Sequence, residues 1–232
     1  MVGRTHPGLQ RMHNEDALRF ETDSGVAVLA DGMGGLMAGS EASNVAVDKI
    51  STSLRSALIG SQAPLFEAIE IAHDAISAIS TLKEMPSKMG STVVIWARAQ
   101  NHWHAAWVGD SRLYRWREGQ LQQLSKDHSL AQRMLDSGEV EPGIDVEAHY
   151  GHVLTQGLGL RQPLDPGYCH GRCDDSGQRF LLCSDGLSDR VVVEKISQAL
   201  STEDLDEAAD RLISHALDMG GNDNISLILI EP

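Results

Sequence analysis

Apolar and polar positions follow two different periods along this chain, and the switches between them mark its elements. Val26–Ala30 is an unbroken apolar run that ends on Asp31, with Gly32, Gly34 and Gly35 close behind. A short apolar run bounded by glycines predicts a buried strand with a turn at its end. From Ser40 the period lengthens: Ala42, Val45, Ala46, Ile50 and Leu54 recur at helical spacing, with Ser40 as the predicted N-cap. A second helix follows Pro64, with Leu65, Ile69, Ala72, Ile76 and Ile79 on one face, and Pro86 and Gly90 punctuate its end.

The pattern then turns strand-like. Ser91–Arg98 and His102–Val108 are rich in β-branched and aromatic residues. Leu113–Arg117 follows the Gly109-Asp110 turn, and Glu118-Gly119 leads into Leu121–Leu124, which together predict an antiparallel meander. A helix is expected at Leu130–Ser137, then a long irregular Gly/Pro-rich stretch to about Gly167. Arg179–Ser184 reads as a buried strand, Val192–Leu200 and Asp204–Met219 as helices, and Ile225–Ile230 as a closing apolar strand after a turn at Gly220–Asn224. The opening Thr5–Asp16 is polar and turn-rich. A helix pair, a run of strands, a second helix pair and a closing strand predict an α+β fold. Its form would be an α/β/β/α sandwich of two stacked, mainly antiparallel sheets flanked by helix pairs. No repeat, low-complexity tract or linker interrupts the pattern, so the expectation is one domain over residues 1–232.

Charge narrows the partners. With 33 acidic against 19 basic residues, the net charge of −14 argues against a nucleic-acid or anionic-membrane surface. No apolar run has the length of a membrane span, and the opening MVGRTHPGLQ has no signal-peptide hydrophobic region. Cys169, Cys173 and Cys183 are odd in number and clustered, so no disulfide framework is implied and a cytoplasmic protein is expected. Cys169 and Cys173 flank His170 without a second ligand pair, which speaks against zinc.

The candidate chemistry sits at strand ends. Asp31 follows VAVLA, Asp110 follows AAWVG, Asp185 follows FLLCS and Asp223 precedes NISLILI; Glu15 and Asp16 add two further acids. If those ends converge, their mutual repulsion must be offset by protons or cations. All are hard oxygen ligands, which selects Mg²⁺ or Mn²⁺, and no EF-hand spacing favours calcium. A pair of such ions can activate a water and neutralise a transferring phosphoryl group. Arg11, just upstream, could grip the phosphate bidentately, although a surface salt bridge fits its spacing equally well.

Taken in order, Arg11-Met-His-Asn14-Glu15-Asp16, Asp31-Gly-Met-Gly-Gly35, Gly90-Ser-Thr92, Gly109-Asp-Ser-Arg112, Ser184-Asp-Gly-Leu187 and Asp223-Asn224 resemble the motifs of the metal-dependent protein phosphatases. This is the protein phosphatase 2C family in its compact bacterial form, and the match runs from about residue 5 to 231. The resemblance implies a sandwich fold and a Ser/Thr protein phosphatase that uses two Mn²⁺ or Mg²⁺ ions and a third, weaker one. In-line attack by a metal-bridging hydroxide would release the phosphate. It further implies that Asp31 bridges two ions, that Gly32 lends its carbonyl and that Asp185 and Asp223 complete the first ion. Glu15 and Asp16 would act through water, Asp110 with Asp185 would hold the third ion, and Arg11 would bind phosphate. A flap is implied at about 129–152. The implied partners are phosphorylated proteins, a cognate Ser/Thr kinase and its substrates, a forkhead-associated protein among them, with no nucleic acid or membrane and a monomer as the default. The alternative is a non-catalytic metal- or phosphopeptide-binding regulator of the same fold, whose mark would be lost carboxylates. One departure stands out: many relatives carry a histidine after DGMGG, where this chain has Leu36. A metal-bound water, His13 or His128 is left as the proton donor.

Two other patterns compete. Cys173–Arg179 reads C-x5-R, as in cysteine-dependent phosphatases, but Asp174 and Asp175 would raise the thiol pKa and repel phosphate. DGMGG lacks the third small residue of a dinucleotide fingerprint because Met37 takes its place. His102, His104 and the four tryptophans, Trp96, Trp103, Trp107 and Trp116, are expected to pack rather than ligate.

Overall fold

Strands that are apolar at every position need cover on both faces, and two sheets stacked between helix layers supply it. A computed structural model describes residues 1–34, 38–55, 57, 59–84, 89–138, 140, 145–161, 163–173 and 177–232. One sheet takes the order β1 (Val2–His6), β11 (Ile225–Ile230), β10 (Arg179–Cys183), β7 (Arg112–Arg117), β8 (Gln120–Gln123). The other runs β2 (Asp16–Glu21), β3 (Val26–Met33), β5 (Val93–Ala99), β6 (His102–Val108), β9 (Gly167–Arg172), with the short β4 (Gly90–Ser91) pairing the end of β3. The pairings are antiparallel.

The period of two sorts each strand between two cores. Val26, Val28 and Ala30 of β3 and Val93, Ile95 and Ala97 of β5 pack on α1 (Ala38–Leu54) and α2 (Ala63–Leu82). Their alternates, Ala27, Leu29, Val94 and Trp96, meet Phe180, Leu182, Ile228 and Ile230 between the sheets. Leu181, Cys183, Leu227 and Leu229 face outward onto α6 (Val193–Leu200) and α7 (Leu205–Asp218). The α+β sandwich is therefore the observed architecture. No helix among the described residues is long and apolar enough to cross a membrane.

Some expectations need correction. The strands after residue 91 do not form one meander: β5–β6 lies in one sheet and β7–β8 in the other. The Gly109-Asp110 turn carries the chain across, with Gly109 at φ 106° and a Cβ there only 2.7 Å from Thr92. Alternation reports burial, not which sheet a strand joins. Helix α1 already includes Ala38, ahead of the predicted cap Ser40. Strands β1, β2 and β9 were not anticipated, since VGRTH, DALRFE and GYCHGR are too polar or glycine-rich to announce themselves. In β9, Gly167 and Gly171 lie beneath the indoles of Trp107 and Trp103, which leave no room for side chains. Those indoles and Trp96 fill the intersheet core as expected, while Trp116 packs on the outer helices and donates its indole N–H to Ser197.

Candidate active site

At one end of the intersheet gap the apolar layer gives way to carboxylates. Asp16 and Asp31 stand opposite each other in the β2–β3 register, in line with the intersheet residues Leu18 and Leu29. From the facing sheet, Ser184 follows β10 on the same side as Leu182, and its hydroxyl donates to Asp16 Oδ2 at 2.8 Å. The Ser226 backbone N–H donates in turn to Ser184 Oγ at 3.0 Å. Asp185 opens the short helix α5 (Asp185–Ser188) just beyond, and Asp110 arrives on the turn that switches sheets.

The backbone of Asp31 is clamped by the Ser91-Thr92 pair. Its N–H donates to Thr92 Oγ1 at 3.0 Å, and its carbonyl accepts from the Thr92 N–H at 2.8 Å and from Ser91 Oγ at 3.0 Å. Thr92 Oγ1 also bonds Ser111 Oγ at 2.7 Å, which ties the Asp110 turn to the end of β3. Gly32 is pressed between neighbouring backbones: a Cβ would fall 2.1 Å from the Gly39 carbonyl and 2.6 Å from that of Glu15. Only glycine lets β3, the Glu15 segment and the start of α1 meet here.

The electrostatics are those of a carboxylate cluster short of positive charge. Burial, followed by the charges of Asp16, Asp185, Asp110 and Asp223, holds Asp31 well above the usual carboxylate range. Burial is also the first cause at Asp16, Asp110 and Asp185. It pushes Asp16 up to about 7 against hydrogen bonds from Ser226 and Ser184, Asp110 to about 8 with help from Asp185 and Asp127, and Asp185 to about 6 beside Asp189 and Asp223. Glu15 is raised by burial too, despite Arg11 nearby. Glu15 Oε1, Asp16 Oδ1 and Asp185 Oδ1 are buried with no hydrogen-bond partner. Orphaned anionic oxygens of this kind are costly unless a cation or proton meets them. The donor set therefore fits hard divalent cations. Among the described residues no three acidic, histidine or cysteine side chains close on one point, so the Gly32 carbonyl and water would have to share in any coordination shell.

Arg11 stands half-exposed at the mouth, and its Nη2 donates to Asp223 Oδ2 at 2.7 Å. Both readings of Arg11 thus meet in one place: it is salt-bridged, and its partner belongs to the cluster. Asn224 fixes the loop that carries it, donating from Nδ2 to the carbonyls of Pro7 and His13 and accepting the Glu15 N–H, each within 2.9 Å. The structure brings Asp16, Asp31, Asp110, Asp185 and Asp223 within mutual electrostatic reach, with Glu15 and Arg11 beside them.

Of the residues weighed as proton donors, His128 lies behind the site, its Nδ1 accepting the Gly109 N–H at 3.2 Å, and burial lowers its pKa. His13 is exposed on the Arg11 loop. Leu36 and Met37 lie outside the described residues, as do Asp174 and Asp175 of the C-x5-R pattern. Arg179 of that pattern is buried and bonds the carbonyls of Leu200, Thr202 and Glu203, with the Glu231 carboxylate 3.7 Å from its Nη2, so it closes the end of α6 and is not placed over Cys173. In the flap region, α3 (Leu130–Ser137) starts at the Ser129 cap and stops at Gly138, and α4 (Val146–Tyr150) follows; residues 139 and 141–144 lie outside the described set. Arg112, whose Nε donates to Asp127 Oδ2 at 2.8 Å, reaches Glu147 of α4 at 3.5 Å. The roles of Thr92, Asn224 and Ser184 were not foreseen, although all three lie inside the quoted motifs. Ser226 had a fainter signal, as the one polar residue in ISLILI.

Two stacked antiparallel sheets with an all-oxygen carboxylate cluster at one end of their seam define a metal-dependent hydrolase architecture. The chain belongs to the protein phosphatase 2C family, whose model matches residues 2–220. It is 32% identical over 240 residues to the serine/threonine protein phosphatase PstP of Mycobacterium tuberculosis, covering 99% of this chain and 44% of that one, so it spans less than half of that relative's length. It is 33% identical to the serine/threonine phosphatase stp of Listeria monocytogenes over 98% of this chain and 94% of the relative. The crystal structure of the PstP catalytic domain in complex with two manganese ions superimposes with a TM-score of 0.87 at 34% identity, over 98% of this chain and 95% of the other.

Proposed function

We propose that this chain is a metal-dependent protein serine/threonine phosphatase that hydrolyses phosphoserine and phosphothreonine on proteins. The observation that carries the reading is the buried cluster of Asp16, Asp31, Asp110 and Asp185 with orphaned oxygens beside Arg11. Two Mn²⁺ or Mg²⁺ ions, when bound, supply an activated water and neutralise charge on the phosphoryl group. Asp31, the Gly32 carbonyl, Asp185 and Asp223 would hold these two ions, Asp110 with Asp185 would hold a third, weaker one, and Glu15 and Asp16 would act through water. The two manganese ions in the mycobacterial relative's catalytic domain support the requirement for metal.

Arg11 orients the phosphate by its planar pair of donors, exchanging Asp223 for the substrate oxygens. Thr92 and Ser91 keep Asp31 aimed by fixing its backbone. The same reading takes residues 1–232 as one catalytic domain with a flap at about 129–152. It acts as a cytoplasmic monomer on phosphorylated proteins, opposing a Ser/Thr kinase whose substrates include a forkhead-associated protein.

The test is hydrolysis of p-nitrophenyl phosphate and a phosphothreonine peptide with and without Mn²⁺, in wild type and Asp185→Ala. Turnover is expected only with metal, and the variant should lose at least about 100-fold, the scale on which one electrostatic transition-state contact is felt. Metal-independent turnover, or full activity in the variant, would overturn the assignment.

A further inference from the structure

At the far end of the six-stranded sheet a groove of about 1110 Å³ opens between the α1–α2 connection, the β5–β6 hairpin and β9. The Val26–Ala97 pair lies near it, whereas Asp31 lies beyond the other end of the same ladder. The length of β3 between them makes the separation about 20 Å. The groove is therefore distinct from the carboxylate cluster.

Its lining inverts the charge of the molecule. In a chain with 33 acidic and 19 basic residues, none of the described residues lining this groove is acidic, and Arg55, Arg98, His102, His104 and His170 all face it. Arg55 is paired with Glu21, Nη2 to Oε1, and Glu21 also accepts from the lining residue Ser24. Arg98 has only a backbone partner among the described residues, its Nε donating to the Gln100 carbonyl at 3.0 Å. Its outer nitrogens are thus available to a ligand.

The floor is a built array of donors. His102 and His104 share one face of β6, and His170 stands directly opposite His104 on β9. The rings of His104 and His170 stack with centroids 5.9 Å apart, and Tyr168 packs 5.6 Å from His170. His104 is only 6% exposed, and its Nδ1 bonds the Tyr168 hydroxyl at 2.7 Å. When Nδ1 accepts that hydroxyl proton, the ring is the tautomer that turns an Nε2–H outward. Phe66 packs edge-on against Tyr168 at 6.2 Å.

We propose that this groove is a second, non-catalytic binding site for a phosphate group. A guanidinium, imidazole N–H donors and no carboxylate make the set that recognises a tetrahedral oxyanion. The first turn of α2 opens on the same groove without a side-chain cap, which adds favourable field. The phosphate arrives either as the free anion or on a phosphorylated segment of a protein, and the chemistry of recognition is shared. The proposal holds whether or not the carboxylate cluster is catalytic.

Side-chain ¹⁵N–¹H NMR of the full chain with Mg²⁺ tests it, with inorganic phosphate and a peptide bearing a non-hydrolysable phosphonate as probes. The His102, His104 and His170 rings should shift saturably. Saturation by phosphate alone identifies the free anion as the source, and tighter saturation by the peptide identifies a phosphorylated segment; both support the site. Arg98→Gln should weaken binding about tenfold at unchanged melting temperature, the effect of losing one charged hydrogen-bond donor. His170→Gln, read at His102 and His104, gives the same test should Arg98→Gln misfold. No saturable shift with either probe, or undiminished shifts in a folded variant, would overturn the proposal.

Discussion

Thr92 touches neither a ligand nor solvent, yet it governs where Asp31 points. Its hydroxyl accepts the part-buried Asp31 N–H and makes a fully buried bond with Ser111. Thr92→Val keeps the shape and removes the acceptor, which strands that N–H at a cost of about 1–3 kcal/mol. Urea unfolding should show that loss, and Mn²⁺ titration should show weaker binding. The carboxylates themselves predict the opposite sign. Asp16, Asp110 and Asp185 are held above their unfolded value of about 4, so the folded chain binds the extra protons. Their contribution is fully present below that value and is lost as pH rises through about 6 for Asp185, about 7 for Asp16 and about 8 for Asp110. Melting temperature in EDTA should fall between those limits, and Mn²⁺ should abolish the fall. Above about pH 8, where Asp110 is ionised in the folded chain, Asp110→Asn removes one repelling charge, so it should raise melting in EDTA by about 2–4 °C, the response to about 1 kcal/mol in a chain of this size. An Asp110→Asn protein that melts lower in EDTA would contradict the charge argument.

Elements here are finished by single side chains at their ends. Arg179 sits at the first position of β10, yet its guanidinium serves α6 and the residues after it by bonding the carbonyls of Leu200, Thr202 and Glu203. Those carbonyls have no partner within the helix. Arg179→Met should cost about 1–3 kcal/mol in chemical denaturation, because it leaves the buried Leu200 carbonyl unpaired and removes the part-buried bonds to Thr202 and Glu203. Phosphatase turnover per folded molecule should be unchanged, which separates this arginine from a phosphate-binding one. Helix α3 was legible as a helix around Leu130–Ser137, and the structure fixes its ends with the Ser129 cap and Gly138 at φ 72°. Strand β9 could not, since its stability comes from indoles of β6 laid across glycines. That information resides in Trp103 and Trp107, not in GYCHGR.

For the molecule as a whole, what was legible follows from what repeats locally. Apolar runs such as Val26–Ala30 and Ile225–Ile230 declared strands buried on both faces, and two stacked sheets follow from that. The convergence of Asp31, Asp110 and Asp185 was inferable because each ends such a strand. Partition between sheets was not, because the crossing at Gly109 depends on contact with Thr92, distant in sequence. Nor was the histidine groove, whose members are ordinary singly and become a site only through the β6–β9 register.

Strand β11 has a consequence in time. It lies between β1 and β10, so residues 225–230 separate a segment translated well before it from one translated shortly before it. Until they emerge, β1 has no neighbour to pair with and β10 shows a bare edge, a state that invites chaperones and wrong pairings. The segment just ahead of β11 carries Asp223 and Asn224, which hold Arg11 and its loop. The nascent chain thus closes its sheet and its mouth in a single late event. A stalled chain ending before Ile225 should remain protease-sensitive and blind to Mn²⁺, and release of the last strand should restore both properties together.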